Sequence, residues 1–249
     1  MRWVNGASWK GLTEICDGTH IPVDLRTSIS PFGDYASMLD VEGTALDPDA
    51  VESVVNFLEV CVTDRSFSGF DNVARAVVGR AVRAVYAVYR DRQDRPLIGA
   101  FRDALKELTG DPQDVVIAAD VARRLGDFCE GTYAEFLNRP SQLDFSSRLL
   151  TFDLAGVSKN ATTRAVAMAA IMEAIGTRAA RQRASGRRTL VEIDEGHEHL
   201  GKGDAVETFL EGCYRKMRKF GVAMWMISQQ FHDFESAQLP TQMHLRSVG

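Results

Sequence analysis

No run of apolar residues in this chain approaches the ~20 that a membrane-spanning helix needs, and no signal peptide opens it. Any membrane association is therefore expected to come through partners. Cysteine is scarce: Cys16, Cys61, Cys129 and Cys213 lie far apart with no CxxC pair. Three of the four sit in apolar helical patterns, which points to buried reduced thiols in a cytoplasm rather than disulfides or a zinc site. There is no HExxH, and the two histidines of His197-Glu198-His199, at i,i+2, do not share a helix face. A basic excess is missing too. The net charge is −5, which argues against a surface that coats nucleic acid non-specifically. Finally, the chain contains no GxxxxGK[ST]. A phosphate cradle needs consecutive backbone N–H groups at a helix start, a lysine and a hydroxyl. The only lysine before residue 100 is Lys10, in SWKGL, with no glycine loop ahead of it.

What is present is ordinary globular material: 249 residues, 45% hydrophobic and 25% charged, enough for one large core or one core with an appended lobe. Residues 20–25 (HIPVDL) alternate as a strand, and Ser28-Ile29-Ser30-Pro31-Phe32 turns out of it. From Asp47 the pattern becomes helical. Asp47-Pro48 reads as a cap with proline at the first helical position, and Val51, Val54, Val55, Leu58, Cys61 and Val62 share a face. Further helices are expected over 71–90, over 96–108 and after Asp111-Pro112. The α/β pattern returns with the strand 149–154 (LLTFDL), then a long helix over 161–184 that is apolar nearly all round early and basic late. After the strand 189–194 comes a helix opened by a capping box, Asp204 and Glu207, and then the strand 222–228 (VAMWMIS). Strand, helix, strand, helix, strand in this order predicts a parallel sheet.

The stretch 189–200, TLVEIDEGHEHL, ends an apolar run on two adjacent carboxylates, Asp194 and Glu195. Ligands of open α/β sheets bind at the carboxyl edge, and in nucleotide hydrolases this Walker B arrangement gives one acid to Mg²⁺ and the next to the attacking water. The plainer reading is a strand followed by an acidic helix start. Three adjacent strands are expected to present Asp153, then Asp194 and Glu195, then Ser228 and Gln229 at one edge. An amide at a strand tip beside two acids suits a γ-phosphate sensor.

The segments LVEIDEGHEHL, FLEGCYRKMRKFG and MWMISQQFHDF resemble the motor region of TraC-class conjugation and type IV secretion ATPases. TFDLAG (151–156) resembles that family's strand before its long helix, and SISPF (28–32) its Asn-Pro-Phe turn. The resemblance implies a RecA-like α/β fold of the HerA–FtsK branch, a parallel sheet flanked by helices with an inserted all-helical lobe, incomplete at both ends. It divides the chain into 1–46 (start of the core), 47–147 (helical lobe) and 148–249 (core with Walker B and sensor strands). It implies ATP and Mg²⁺ as cofactors, Asp194 as the Mg²⁺ acid, Glu195 as the catalytic acid, Gln229 as the sensor, Ser228 beside the nucleotide, and Arg215 and Arg218 as arginines reaching a neighbour's phosphates. The arginines read equally as a solvated face, Arg215 paired with Glu211. The implied partners are copies of the chain in a hexamer and inner-membrane secretion-channel proteins, with DNA as an indirect substrate, in a cytoplasmic protein peripheral to the inner membrane.

Two departures qualify this. Without GxxxxGK[ST], the chain reads as one that begins after the nucleotide-binding loop and is inactive alone, and the alternative is a non-hydrolysing scaffold subunit. A DNA translocase fragment would need a basic pore loop, for which 178–188 is the sole candidate. Glu192 also sits inside the Walker B strand, and His197 follows its acids, where apolar residues are expected.

Overall fold

In the computed structural model the described residues are 2–4, 9–63, 69–144, 146–157, 161–182, 186, 188–194, 212–213, 217–218, 221–228 and 245–247. Their strands form one parallel sheet: β1 (Arg2–Val4), β2 (Thr19–Pro22), β3 (Leu150–Asp153), β4 (Thr189–Ile193), β5 (Val222–Ser228) and β6 (Leu245–Ser247), in the order β2-β3-β1-β4-β5-β6. The parallel sheet expected from the strand–helix alternation is therefore present. The strand adjacency is not as expected. The sequence pattern put the LLTFDL and LVEI strands side by side, whereas β1 lies between them, Trp3 being in register with Phe152 on one side and Ile193 on the other. Two strand spacings of about 4.8 Å thus separate β3 from β4.

Local chemistry accounts for the helices. In α2 (Pro48–Val62) the Asp47 carboxylate accepts from the Asp49 N–H and proline takes a first-turn position whose N–H has no helical partner. Asp71 caps α3 (Asn72–Val88) by accepting from Ala74, and Asp111 caps α5 (Pro112–Arg124) by accepting from Gln113. Between α3 and α5 lies α4 (Ile98–Lys106). Two four-residue helices that the sequence pattern did not suggest, α6 (Gly126–Cys129) and α7 (Ala134–Leu137), follow. They bury Phe128, Cys129, Phe136 and Leu137, and tertiary packing holds turns too short to persist alone.

The centre of the molecule is α8 (Ala161–Gln182). Val166 to Met172 are buried without a break, so every side of the helix faces protein there. Its neighbour α2 is joined to it by a hydrogen bond from Ser53 to the buried Glu173 carboxylate. One apolar cluster runs from Leu150 and Phe152 of β3 and Val191 and Ile193 of β4 through α8 and α2 into α3, α4 and α5. The Ser28–Phe32 turn enters this cluster. Ile29 and Phe32 are buried, and the Phe32 ring meets Phe57 edge-on at 5.5 Å and Phe101 at 4.6 Å. Gly156 is required by close approach, since a Cβ there would lie 2.5 Å from the Val23 carbonyl oxygen.

Burial alternates along the far strands. Val191, Ile193, Val222 and Met224 are buried, while Leu190 and Trp225 are exposed. Glu192 therefore belongs to the face opposite the apolar cluster, which is why a charged residue is tolerated within β4. The segment between β4 and β5 contributes buried Cys213 and Met217, with the Met217 methyl 3.7 Å from the position a Cβ would take on Gly176 of α8.

Two outcomes follow from this packing. Phe101→Ala removes a ring with no exposure and is expected to cost about 3–5 kcal/mol in denaturant unfolding; a loss under about 1 kcal/mol would contradict the core described. Burial pushes the Cys129 thiol up to about 11 and raises that of Cys61, whereas Cys16 is exposed. Because the thiolate is the nucleophile, iodoacetamide at mildly alkaline pH should alkylate Cys16 in the native protein and Cys61 and Cys129 only after unfolding, read by mass spectrometry.

Candidate functional site at the strand tips

Parallel strands deliver their last side chains to one edge, and here that edge is acidic. Asp153 ends β3 at 9% exposure, and its Oδ1 accepts from the Ala155 N–H at 2.9 Å. Asp194 follows the last residue of β4 and is half-buried. Ser228 ends β5 in register with Ser247 of β6. Arg218 is exposed, and its carbonyl accepts from the N–H of Gly221, the residue before β5. The other candidates, Glu195, Arg215 and Gln229, lie outside the described residues, as do His197 and the capping pair Asp204 and Glu207.

A second layer of polar groups ties this edge together. Thr13, in α1 (Lys10–Ile15), is buried, and its hydroxyl lies 2.7 Å from that of Thr151 on β3. Thr13 Oγ1 also donates to the Trp9 carbonyl at 2.8 Å. Its single proton is thereby used, which leaves the Thr151 hydroxyl as the donor between the two. Trp9, immediately before α1, donates its indole N–H to Asp194 Oδ2 at 3.3 Å. One short helix with the residue before it therefore bridges the β3 side and the β4 side of the edge. On β2, His20 is in register with Thr151, and its Nε2 lies 3.9 Å from Asp153 Oδ2. That buried Nε2 makes no hydrogen bond among the described residues.

Asp153 and Asp194 stand out in the sequence as strand-end acids, whereas Trp9, Thr13, His20 and Thr151 do not. His20 opened a recognised strand, yet nothing in HIPVDL marks it as the neighbour of a carboxylate about 130 residues away in the chain. Thr13 and Thr151 carried no signal, because a hydroxyl pair becomes visible only once α1 is laid on β3.

The donor chemistry can be matched against the cofactors that the sequence resemblance implies. A carboxylate at the end of a buried parallel strand suits Mg²⁺, which keeps most of its waters and takes only one or two protein oxygens. Among the described residues no group of three or more His, Cys, Asp or Glu is placed to hold a metal by itself. Asp194 thus fits the metal half of such a site. A triphosphate is not fitted, since the sequence has no glycine-rich loop ending in Gly-Lys-Ser/Thr.

No protein-family profile matches the chain, and no curated protein matches it. Among solved structures, the chain is similar to VirB4 of Thermoanaerobacter pseudethanolicus, with a TM-score of 0.66 over 94% of its length at 15% sequence identity. The chain covers 63% of that protein's chain. At this identity the likeness is one of fold: a helix-rich α/β arrangement on parallel strands.

The hydroxyl pair yields a direct test. Thr13→Val leaves the buried Thr151 donor unpaired and is expected to cost about 1–3 kcal/mol, and Thr151→Val a similar amount. The double variant should cost clearly less than the sum in urea unfolding; strict additivity would mean that the two hydroxyls do not act as a pair.

Proposed function

We propose that this chain is part of the motor of a type IV secretion system, of the VirB4 and TraC-like class, serving an ATPase that drives channel or pilus assembly and substrate transfer. The observation that carries the reading is the joint one: a VirB4-like fold over nearly the whole chain, with Asp194 at the carboxyl end of β4 where that reading needs an acid. The sequence motifs on both sides of it support the same assignment. In this reading the fold is RecA-like, of the HerA–FtsK branch, with 47–147 as its helical lobe. Asp194 serves the metal, Glu195 the attacking water, Gln229 and Ser228 the terminal phosphate, and Arg215 and Arg218 the phosphates of a neighbouring subunit. Copies of the chain assemble as a hexamer against inner-membrane channel proteins. Attachment to the inner membrane is peripheral, through those partners; no helix among the described residues is long and apolar enough to cross a membrane.

The missing Gly-Lys-Ser/Thr loop bears on activity. Without a phosphate cradle the strand-tip acids have nothing to hold a triphosphate against, so the chain by itself is not expected to turn ATP over. The second reading is a scaffold subunit of the same apparatus that keeps the fold and does not hydrolyse ATP.

A single experiment separates the two. Mg²⁺-dependent ATP hydrolysis is measured for the chain alone and for the chain joined to a segment ending in Gly-Lys-Thr. The motor reading expects no turnover from the first, turnover from the second, and a loss of about 100-fold or more on Glu195→Gln. A folded, joined protein that binds nucleotide and never hydrolyses it would overturn the motor reading and leave the scaffold.

A further inference from the structure

The helix α1 contributes almost nothing to the apolar core. Its buried residue is Thr13, while Leu12 and Ile15 keep 47% and 83% of their surface exposed. At six residues it is also too short to persist by itself. Its described side-chain bonds to the sheet run to Thr151 of β3 through Thr13 and, from the residue before it, to Asp194 through Trp9. A helix held in this way is suited to carrying a side chain to the strand tips.

Its seat is tight. A Cβ on Gly18, just after α1, would lie 2.8 Å from Thr13 Cγ2 and 2.9 Å from the Leu149 carbonyl oxygen, so glycine there lets the helix close on the start of β3. Thr13 Oγ1 donates to the Trp9 carbonyl at 2.8 Å, which fixes the backbone that carries the indole. Trp9 is the N-cap residue of α1, and its side chain caps no helix N–H. The indole N–H goes to Asp194 Oδ2.

The chemistry of the donor matters. Indole is a neutral group that donates and does not accept. It can orient a carboxylate without cancelling its charge, whereas a lysine or arginine in its place would compete with a cation for the acid. Carboxylates that ligate metals are themselves hydrogen-bonded by such outer partners, and loss of the partner costs about 10–100-fold in metal affinity. At 3.3 Å the bond is long, as hydrogen bonds in sites without their ligand often are before they tighten.

We propose that Trp9 is the positioning residue of Asp194, its indole N–H setting the carboxylate for a divalent cation, with α1 and Thr13 holding the indole in place. This rests on the motor reading, in which Asp194 serves the metal, and adds to it the group that aims that acid.

The test uses the full chain in two measurements. Mn²⁺, standing in for Mg²⁺, is titrated in, and the free ion is read by electron paramagnetic resonance. Asp194→Asn weakens Mn²⁺ binding. Trp9→Phe, which keeps a ring and removes the donor, weakens it by about tenfold or more, with urea unfolding confirming that the variant is folded. In ¹H–¹⁵N NMR the Trp9 indole N–H signal moves on addition of Mg²⁺ to the unchanged chain and stays in place in Asp194→Asn; this signal decides alone if Trp9→Phe does not fold. Unchanged Mn²⁺ affinity in Trp9→Phe, or an indole signal that ignores Mg²⁺ while Asp194→Asn loses affinity, would overturn the positioning role and leave the metal assignment standing. Mn²⁺ binding that is absent, or indifferent to Asp194→Asn, would remove the metal assignment of Asp194 and this proposal with it.

Discussion

The structure depends on the burial of α8. A helix whose consecutive residues from Val166 to Met172 are all buried has no stable solvated form, so it must be enclosed by other elements. Strands β3 and β4 supply buried apolar side chains to the same cluster, and α2 lies alongside. Helices α3, α4 and α5 then pack outward from α2. Enclosure carries a polar requirement with it. Glu173 is buried within α8, and the Ser53 hydroxyl of α2 is one group that satisfies it. The Ser53–Glu173 bond is thus both a condition of burial and a fixed point that sets how α2 lies along α8.

That enclosure leaves the opposite sheet face to polar chemistry. Apolar residues of β4 point to the cluster, and Glu192 belongs to the other face. There the short helix α1 reaches across from Thr151 to Asp194 through Thr13 and Trp9. The acidic edge is held by a hydrogen-bonded bridge, in contrast to the apolar packing that holds the core.

Much of the fold was legible because its signals are local. Asp47-Pro48 and Asp111-Pro112 announced helices that the structure caps with those same aspartates. The apolar run before the two acids announced β4, and TFDL announced β3. What the sequence hid is non-local. A three-residue strand such as β1 carries no periodicity, so its position between β3 and β4 is a fact of pairing alone. The helices α6 and α7 exist because Phe128, Phe136 and Leu137 find the core, which no local propensity encodes. At the edge, the carboxylates stood out as residue types, whereas Thr13, His20 and Thr151 acquired meaning only from what lies beside them.

In the proposed motor, Asp194 belongs to the metal side of a nucleotide site at the strand tips. This assignment is tested most directly by the structure of the chain, joined to a Gly-Lys-Thr phosphate loop, with Mg²⁺ and a non-hydrolysable ATP analogue. Mg²⁺ is expected at the carboxyl end of β4, held by Asp194 directly or through one water, with the terminal phosphate facing β5. A nucleotide bound elsewhere, or Mg²⁺ with no contact to Asp194 even through water, would contradict it.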